Sequence, residues 1–191
     1  MKDIQAGLVG KIFDPVELNE PEDVLVDGNF AYVPCRVGNN VAIIDISDSY
    51  HPKIVSSFRD IELIDAMGVA KNENYLYITS LTNHKCLVVD VSDPYKPKKV
   101  FSFTVGGDGP TSDRLRKVVY HNGYLYLTHS CEGRLYIADA TNPKTPELIS
   151  SIETGDGAFA VFIEGNVAYT AGCFPGSSIK VIDIKIKGNQ N

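Results

Sequence analysis

Long apolar runs are missing from this sequence. Nowhere in its 191 residues do roughly eighteen apolar side chains stand together, so no segment reads as a membrane-spanning helix. An apolar leader is missing too: Met1 to Asn19 holds no hydrophobic stretch behind a basic start, and as it stands the chain reads as cytoplasmic. Positive charge is scarce. Lys and Arg number 18 against 24 Asp and Glu, a net charge of −6 with a pI near 5.2, which argues against nucleic acid as a partner because phosphate binding draws on clustered Lys and Arg. The one basic run, Lys96 to Lys99, reads as a solvated turn. Four cysteines without a CxxC fit a reduced compartment and supply no strong metal signature. There is no Ser, His, Asp triad, no paired-acid spacing, no DxDxDG calcium loop and no phosphate loop ending in GKS or GKT. No stretch sustains a helical period, which leaves an all-β chain.

What the chain does hold is a repeat. The stretch Cys86 to Phe103 (CLVVDVSDPYKPKKVFSF) recurs from Val41 (VAIIDISDSYHPKIVSSF), from Leu135 (LYIADATNPKTPELISSI) and, shortened, from Ile179 (IKVIDI). An Asp closes each apolar run, at Asp45, Asp90, Asp139 and Asp183, with separations of 45, 49 and 44 residues. A second marker, the Tyr at Tyr32, Tyr77, Tyr126 and Tyr169, keeps step at 45, 49 and 43. A period of about 45 residues is that of one four-stranded propeller blade.

Each repeat divides into four short strands, A to D, rich in Val, Ile, Leu and Tyr and bounded by Asn, Asp, Pro or Gly. The A to B turns, at Asp27, Asn72, His121 and Glu164, use Gly and Asn, which enter positive φ cheaply. The C to D connection carries Pro94 and Pro97, then Pro143 and Pro146, with Pro52 alone in the first repeat. Proline cannot donate to a ladder, so these positions lie outside the central strands. The marker Asp and the Ser or Thr near it build that turn, and the marker Tyr packs between blades.

The expected fold is thus a single domain over 1–191, a β-propeller of four four-stranded blades at about 21–60, 65–105, 114–154 and 157–184. The last unit ends before a strand D of its own. LVGKI at Leu8 to Ile12, within an N-terminal strand at 8–13, matches strand D elsewhere and is expected to complete that blade. The strand count then closes without remainder as one ring, in a monomer; a strand-swapped dimer forming an eight-bladed ring, or a piece of a longer ring, would use the same strands.

These residues resemble the LVIVD repeat family, whose units read approximately GNxAYVA, LxIVDVSNP and PxLVGS. The match falls on Gly28, Asn29, Ala31, Tyr32 and Val33, on Ile44, Asp45, Ile46 and Ser47, and on Val89, Asp90, Val91, Ser92 and Pro94. The resemblance implies a propeller and carries no catalytic residues. Proteins of that family usually have more repeats, and many look exported.

By analogy with propellers, the D to A and B to C loops gather at one face around the channel. The D to A loops hold Glu17, Glu20, Glu22 and Asp23, then Asp60, Glu62 and Asp65, then Asp108, Asp113, Arg114 and Arg116, and finally Asp156. Alignment on the marker Tyr makes Glu20, Asp65, Arg114 and Gly157 equivalent. Converging carboxylates would suit a divalent hard cation; the other reading is solvated acids, with Arg114 or Arg116 paired to Glu20 or Asp65 across the channel. The B to C loops hold Cys35, Arg36, Asn83, His84, His129, Cys131, Glu132 and Cys173, ligand types for zinc or copper but at uneven offsets. Cys86 reads as core, and His51 and His121 as surface turns of the opposite face. Thr104 to Arg114, a Gly-rich insertion, reads either as a lid or partner contact or as plain length variation.

The functional expectation is a non-catalytic scaffold that binds a protein, peptide or glycan through Glu20, Glu22, Arg36, Asp65, Arg114, Arg116 and His129. It needs no cofactor, a divalent cation being the one candidate. The alternative is a metal-binding protein or enzyme centred at the channel mouth.

Overall fold

A computed structural model describes residues 6–107, 114–155, 157–172 and 177–184. Among them there is no helix, and so none long and apolar enough to cross a membrane. Fifteen strands form four antiparallel sheets. The first holds β1 (Leu25–Asp27), β2 (Phe30–Cys35), β3 (Asn40–Asp45) and β4 (Lys53–Phe58). The second holds β5 (Ala66–Asn72), β6 (Tyr75–Ser80), β7 (Lys85–Asp90) and β8 (Lys98–Thr104). The third holds β9 (Leu115–His121), β10 (Tyr124–His129), β11 (Arg134–Asp139) and β12 (Glu147–Glu153). The fourth holds β13 (Ala158–Glu164), β14 (Val167–Gly172) and β15 (Ile179–Asp183). Strand order follows the sequence in every sheet, so each repeat is a plain meander.

The turn chemistry repeats with the sequence. Asp45, Asp90 and Asp139 each accept, on Oδ1, the backbone N–H two residues on, from Ser47, Ser92 and Thr141 at 2.8, 2.8 and 2.9 Å. A second turn follows at once, in which Asp48, Asp93 and Asn142 accept from the backbone of Tyr50, Tyr95 and Lys144. These Asx turns explain the conserved spacing within the chain: the side chain replaces a ladder bond where the strand must stop. The A to B turns take positive φ at Gly28, Glu73, Asn122, Gly123 and Gly165. In the second repeat the left-handed residue is thus Glu73, and neither flanking Asn.

The sheets pack face to face. Tyr32, Tyr77 and Tyr126 are buried on the face each sheet turns toward the next, where Tyr32 meets Leu76 and Val89, Tyr77 meets Leu125 and Ala138, and Tyr126 meets Val161 and Ala168. Cys86 lies fully buried in the second of these layers. The innermost strands β1, β5 and β9 border a cavity of about 420 Å³ that runs down the centre.

The expected closing strand is not formed here. The fourth sheet has three strands, and residues 8–12 pair with none. The segment instead lies on the back of the first sheet, where Ile12 and Leu18 pack against Ala31, Val33, Ala42 and Ile44. Asn40 Nδ2 holds it there by donating to the Glu17 carbonyl at 3.0 Å, while Asp14 Oδ1 closes a local turn by accepting from the N–H groups of Val16 and Glu17 at 2.9 and 2.8 Å. A strand-like sequence does not say which apolar surface it will cover, and the back of the first sheet is the nearer one along the chain.

Candidate functional site

Glu20, Asp65 and Arg114 hold one structural position. Their carbonyls accept from the N–H groups of Arg36, Leu81 and Ser130 at 2.8, 2.9 and 3.0 Å, and Glu20 and Asp65 share a left-handed backbone, φ 56° and 54°. Their side chains do not converge. Glu20 pairs with Arg36, whose Nε donates to Glu22 at 3.0 Å, so these three form a fork within the first blade. Asp65 accepts from the Thr82 hydroxyl, while its N–H donates to Asn39 Oδ1 at 2.7 Å. The remaining acids of these loops serve structure: Glu17 pairs with Arg59, and Asp60 and Glu62 both take Lys99. The Ser57 hydroxyl, with Arg59, holds the Glu17 carboxyl below its ordinary range, and Ser102, with Lys99, does the same for Glu62.

Arg114 is exposed. The Arg116 guanidinium lies over the Phe159 ring of the fourth blade, 4.0 Å from its centre, and its Nε donates to Ser130 Oγ at 3.1 Å. The ion pair that spans the channel is Lys117 with Asp23, which also accepts from the Val69 N–H. Alternation along β9 separates these tasks: adjacent residues point to opposite sides. At the mouth, Glu22, Asp23, Met67, Gly68, Arg116, Lys117 and Phe159, from all four blades, line a cavity of about 120 Å³.

A second constellation lies between the second and third blades. His129 ends β10 and is 1% exposed; its Nε2 stands 3.3 Å from Nδ1 of His84 and 3.8 Å from Oε1 of Glu132. The two imidazole rings stack at 5.4 Å, and Tyr136 meets His129 edge-on at 6.2 Å. Glu132 accepts from the Tyr136 hydroxyl and from the Gly107 N–H at 2.7 Å. Burial pushes the Glu132 carboxyl up, but the Tyr136 hydroxyl, the Gly107 amide and the two imidazoles outweigh it and hold the group below its usual range. Among the described residues, these three are the one group of His, Cys, Asp or Glu placed to share a metal ion, with their ligand atoms within 4.8 Å of one another. The carboxylate cluster expected at the mouth is not built among them.

None of the described cysteines joins this group. Cys35 is buried and its thiol is pushed up to about 11 by burial, Cys86 is core, and Cys131 is exposed. Cys173, Asp108, Asp113 and Asp156 lie outside the described residues, as does most of the Gly-rich insertion. Its described start is tied down: the Val105 N–H donates to the His84 carbonyl at 2.7 Å, and Gly107 holds Glu132. Tyr136 was not among the candidates from sequence, whereas Gly106 and Gly107 belong to the insertion read there as a lid or partner contact or as plain length variation.

Repeated four-stranded meanders stacked about a central channel define a propeller repeat protein. The first two blades are LVIVD repeats, the model of that repeat matching residues 20–60 and 65–105. No curated protein sequence matches the chain. Among solved structures it is similar to hydrazine synthase of Kuenenia stuttgartiensis, at 20% identity and a TM-score of 0.72, over 96% of this chain and 50% of that one. It is also similar to the periplasmic gluconolactonase PpgL of Pseudomonas aeruginosa, at 8% identity and 0.71, over 89% and 52%. The computationally designed protein Ika4 is similar at 10% identity and 0.68, over 95% of this chain and 100% of that one. These likenesses show the fold alone, and the chain spans about half the length of the two natural proteins.

Proposed function

We propose that the protein is a non-catalytic binding module whose loop face takes a protein, peptide or glycan, with Glu20, Glu22, Arg36, Asp65, Arg114 and Arg116 on the contact side; His129, expected there from the sequence, is 1% exposed and takes no part in that surface. The observation that supports it is the channel mouth, where Arg116 lies flat on Phe159 above a cavity of about 120 Å³ with Glu22 and Asp23 on the opposite wall. A cavity of that size admits one side chain or one sugar substituent. A stacked Arg beside fixed carboxylates is a rigid anchor that loses little freedom on binding. The Glu20, Arg36, Glu22 fork extends the same fixed charge pattern outward, which serves orientation and specificity more than affinity.

The test is a peptide and glycan array probed with the labelled chain and with a variant carrying Glu20→Ala, Asp65→Ala, Arg114→Ala and Arg116→Ala. A defined set of ligands, lost in a variant whose melting temperature is little changed, is the expected result. Ligands retained by the variant, or none bound by the native chain, would overturn the reading.

A further inference from the structure

We propose that His84, His129 and Glu132 form a site for one divalent transition-metal ion of the zinc class, a function separate from ligand binding at the channel mouth. The distances are those of a coordination polyhedron. Two nitrogens bound to a tetrahedral ion at 2.0–2.1 Å stand about 3.3 Å apart, and His84 Nδ1 and His129 Nε2 are 3.3 Å apart. Glu132 Oε1 is 3.8 Å from His129 Nε2, and all three ligand atoms lie within 4.8 Å of one another, so the carboxylate closes the triangle by moving inward. Two imidazoles and one carboxylate select a borderline ion over calcium or magnesium, which take oxygen ligands, and three protein ligands leave a position open to solvent.

The surroundings hold these side chains in place. Tyr136 and the Gly107 amide fix the Glu132 carboxylate from two sides. At Gly106 a Cβ would meet that carboxylate at 2.6 and 2.8 Å, so the insertion can approach only as glycine, and its φ of 75° makes the same demand. His84 carries a left-handed backbone, φ 50°, at the slot filled by Asn39 in the first blade and Gly133 in the third. Like Asn, His enters this region more readily than most residues, so the loop keeps its backbone while the side chain changes from an amide to an imidazole.

The repeat supplies an internal control. Between the first and second blades the slots of His84, His129 and Glu132 hold Asn39, Ser80 and Asn83, and there Asn39 accepts from Asp65 while Ser80 and Asn83 bond the carbonyls of Ile64 and Glu62. That interface closes with neutral polar groups. Only the next one places two imidazoles and a carboxylate in the same frame. The Glu132 N–H lies 3.3 Å from His129 Nδ1. An ion on Nε2 places the ring proton on Nδ1, so binding requires this long contact to open.

The experiment is Zn²⁺ titration of the full, metal-stripped chain, followed by native mass spectrometry and calorimetry, with Co²⁺ as a spectroscopic probe. One ion per chain is expected, and Co²⁺ bands of a four- or five-coordinate nitrogen and oxygen site. His84→Asn, which restores the residue used in the first blade, and Glu132→Gln should each weaken binding at least about tenfold, and Tyr136→Phe about 10- to 100-fold. Cys131→Ser should leave it unchanged. Melting temperatures confirm that each variant folds. No stoichiometric Zn²⁺, affinity untouched in both H84N and E132Q, or a Co²⁺ thiolate charge-transfer band would each overturn the assignment.

Discussion

Tyr77 of the second blade donates its hydroxyl to the carbonyl of Pro143, in the turn of the third, at 3.2 Å while its ring is fully buried between them. Tyr77 thus fastens strand B of the second blade to the C to D turn of the third, and there the marker Tyr and the proline turn are parts of one joint. Tyr77→Phe removes the hydrogen bond and leaves the packing, so a loss of about 0.5–1.5 kcal/mol is expected. Tyr77→Ala also opens a cavity and should lose about 3–5 kcal/mol. Urea unfolding of both variants checks the ratio; equal losses would mean that the hydroxyl, and not the ring, carries the joint.

That joint explains what could be read in advance. Strand positions, turn residues and the inward Tyr follow from local chemistry repeated at a fixed period, so the sequence spells them out. The destination of Leu8 to Ile12 does not, because an apolar strand fits several surfaces, and here the packing of Ile12 and Leu18 and the Asn40 bond to Glu17 settle which. Likewise, the B to C loops displayed their histidines, but the offsets of single blades hid their meeting. His84 lies seven residues after one marker Tyr and His129 three after the next, and the packing of consecutive blades brings these unlike positions together.

Gly68 shows how close the inner strands come. A Cβ there would lie 2.5 Å from the Arg116 carbonyl and 3.0 Å from Lys117 Cα, and backbone atoms cannot yield as a flexible side chain can. Gly68→Ala should therefore push β5 from β9 and cost about 1–3 kcal/mol. Gly28→Ala is the comparison: nothing lies within 4 Å of its Cβ, and the cost is the left-handed φ of 56° alone, about 1–2 kcal/mol. The two differ in kind. Crosswise movement in Gly68→Ala should also disturb Arg116 and Phe159 at the mouth, visible as shifted Phe159 resonances, whereas Gly28→Ala should leave them in place.

The turn acids set a pH dependence. The hydroxyls of Ser47 and Thr141 chiefly hold Asp45 and Asp139 below the ordinary 3.8, and the Ser92 amide does so for Asp90. A carboxyl whose folded pKa is depressed adds stability that is fully present above its unfolded value and lost as pH falls through the folded one. The loss accordingly begins near pH 4 and continues below it. Asn at all three positions keeps an acceptor for the turn amide but cannot titrate, so the fall in melting temperature between about pH 5 and pH 3 should be shallower in the triple variant. An acid limb identical to that of the native chain would place the dependence on other carboxyls.

The fourth blade repeats the Tyr face, and among the described residues no sheet covers it. Phe162, Tyr169 and Val181 stand in register across β13, β14 and β15, as Ala70, Tyr77 and Val88 do in the second blade. In the second blade this layer is covered by the third; in the fourth, Phe162, Ile179 and Val181 remain 64, 66 and 67% exposed. The outer edge of β15 is unpaired among the described residues, while Leu8 and Val9, of the segment that reads as strand D, are 84 and 56% exposed. Apolar surface and an open strand edge on the same sheet call for one occupant that supplies both a strand and a packing face. A second copy offering its N-terminal strand by exchange of an identical element would meet that need, as would a further blade of a longer ring. Native mass spectrometry of this chain should show a dimer that dissociates on dilution, and Phe162→Glu with Val181→Lys should return it to one chain without unfolding it. A single-chain mass at every concentration would rule the exchange out.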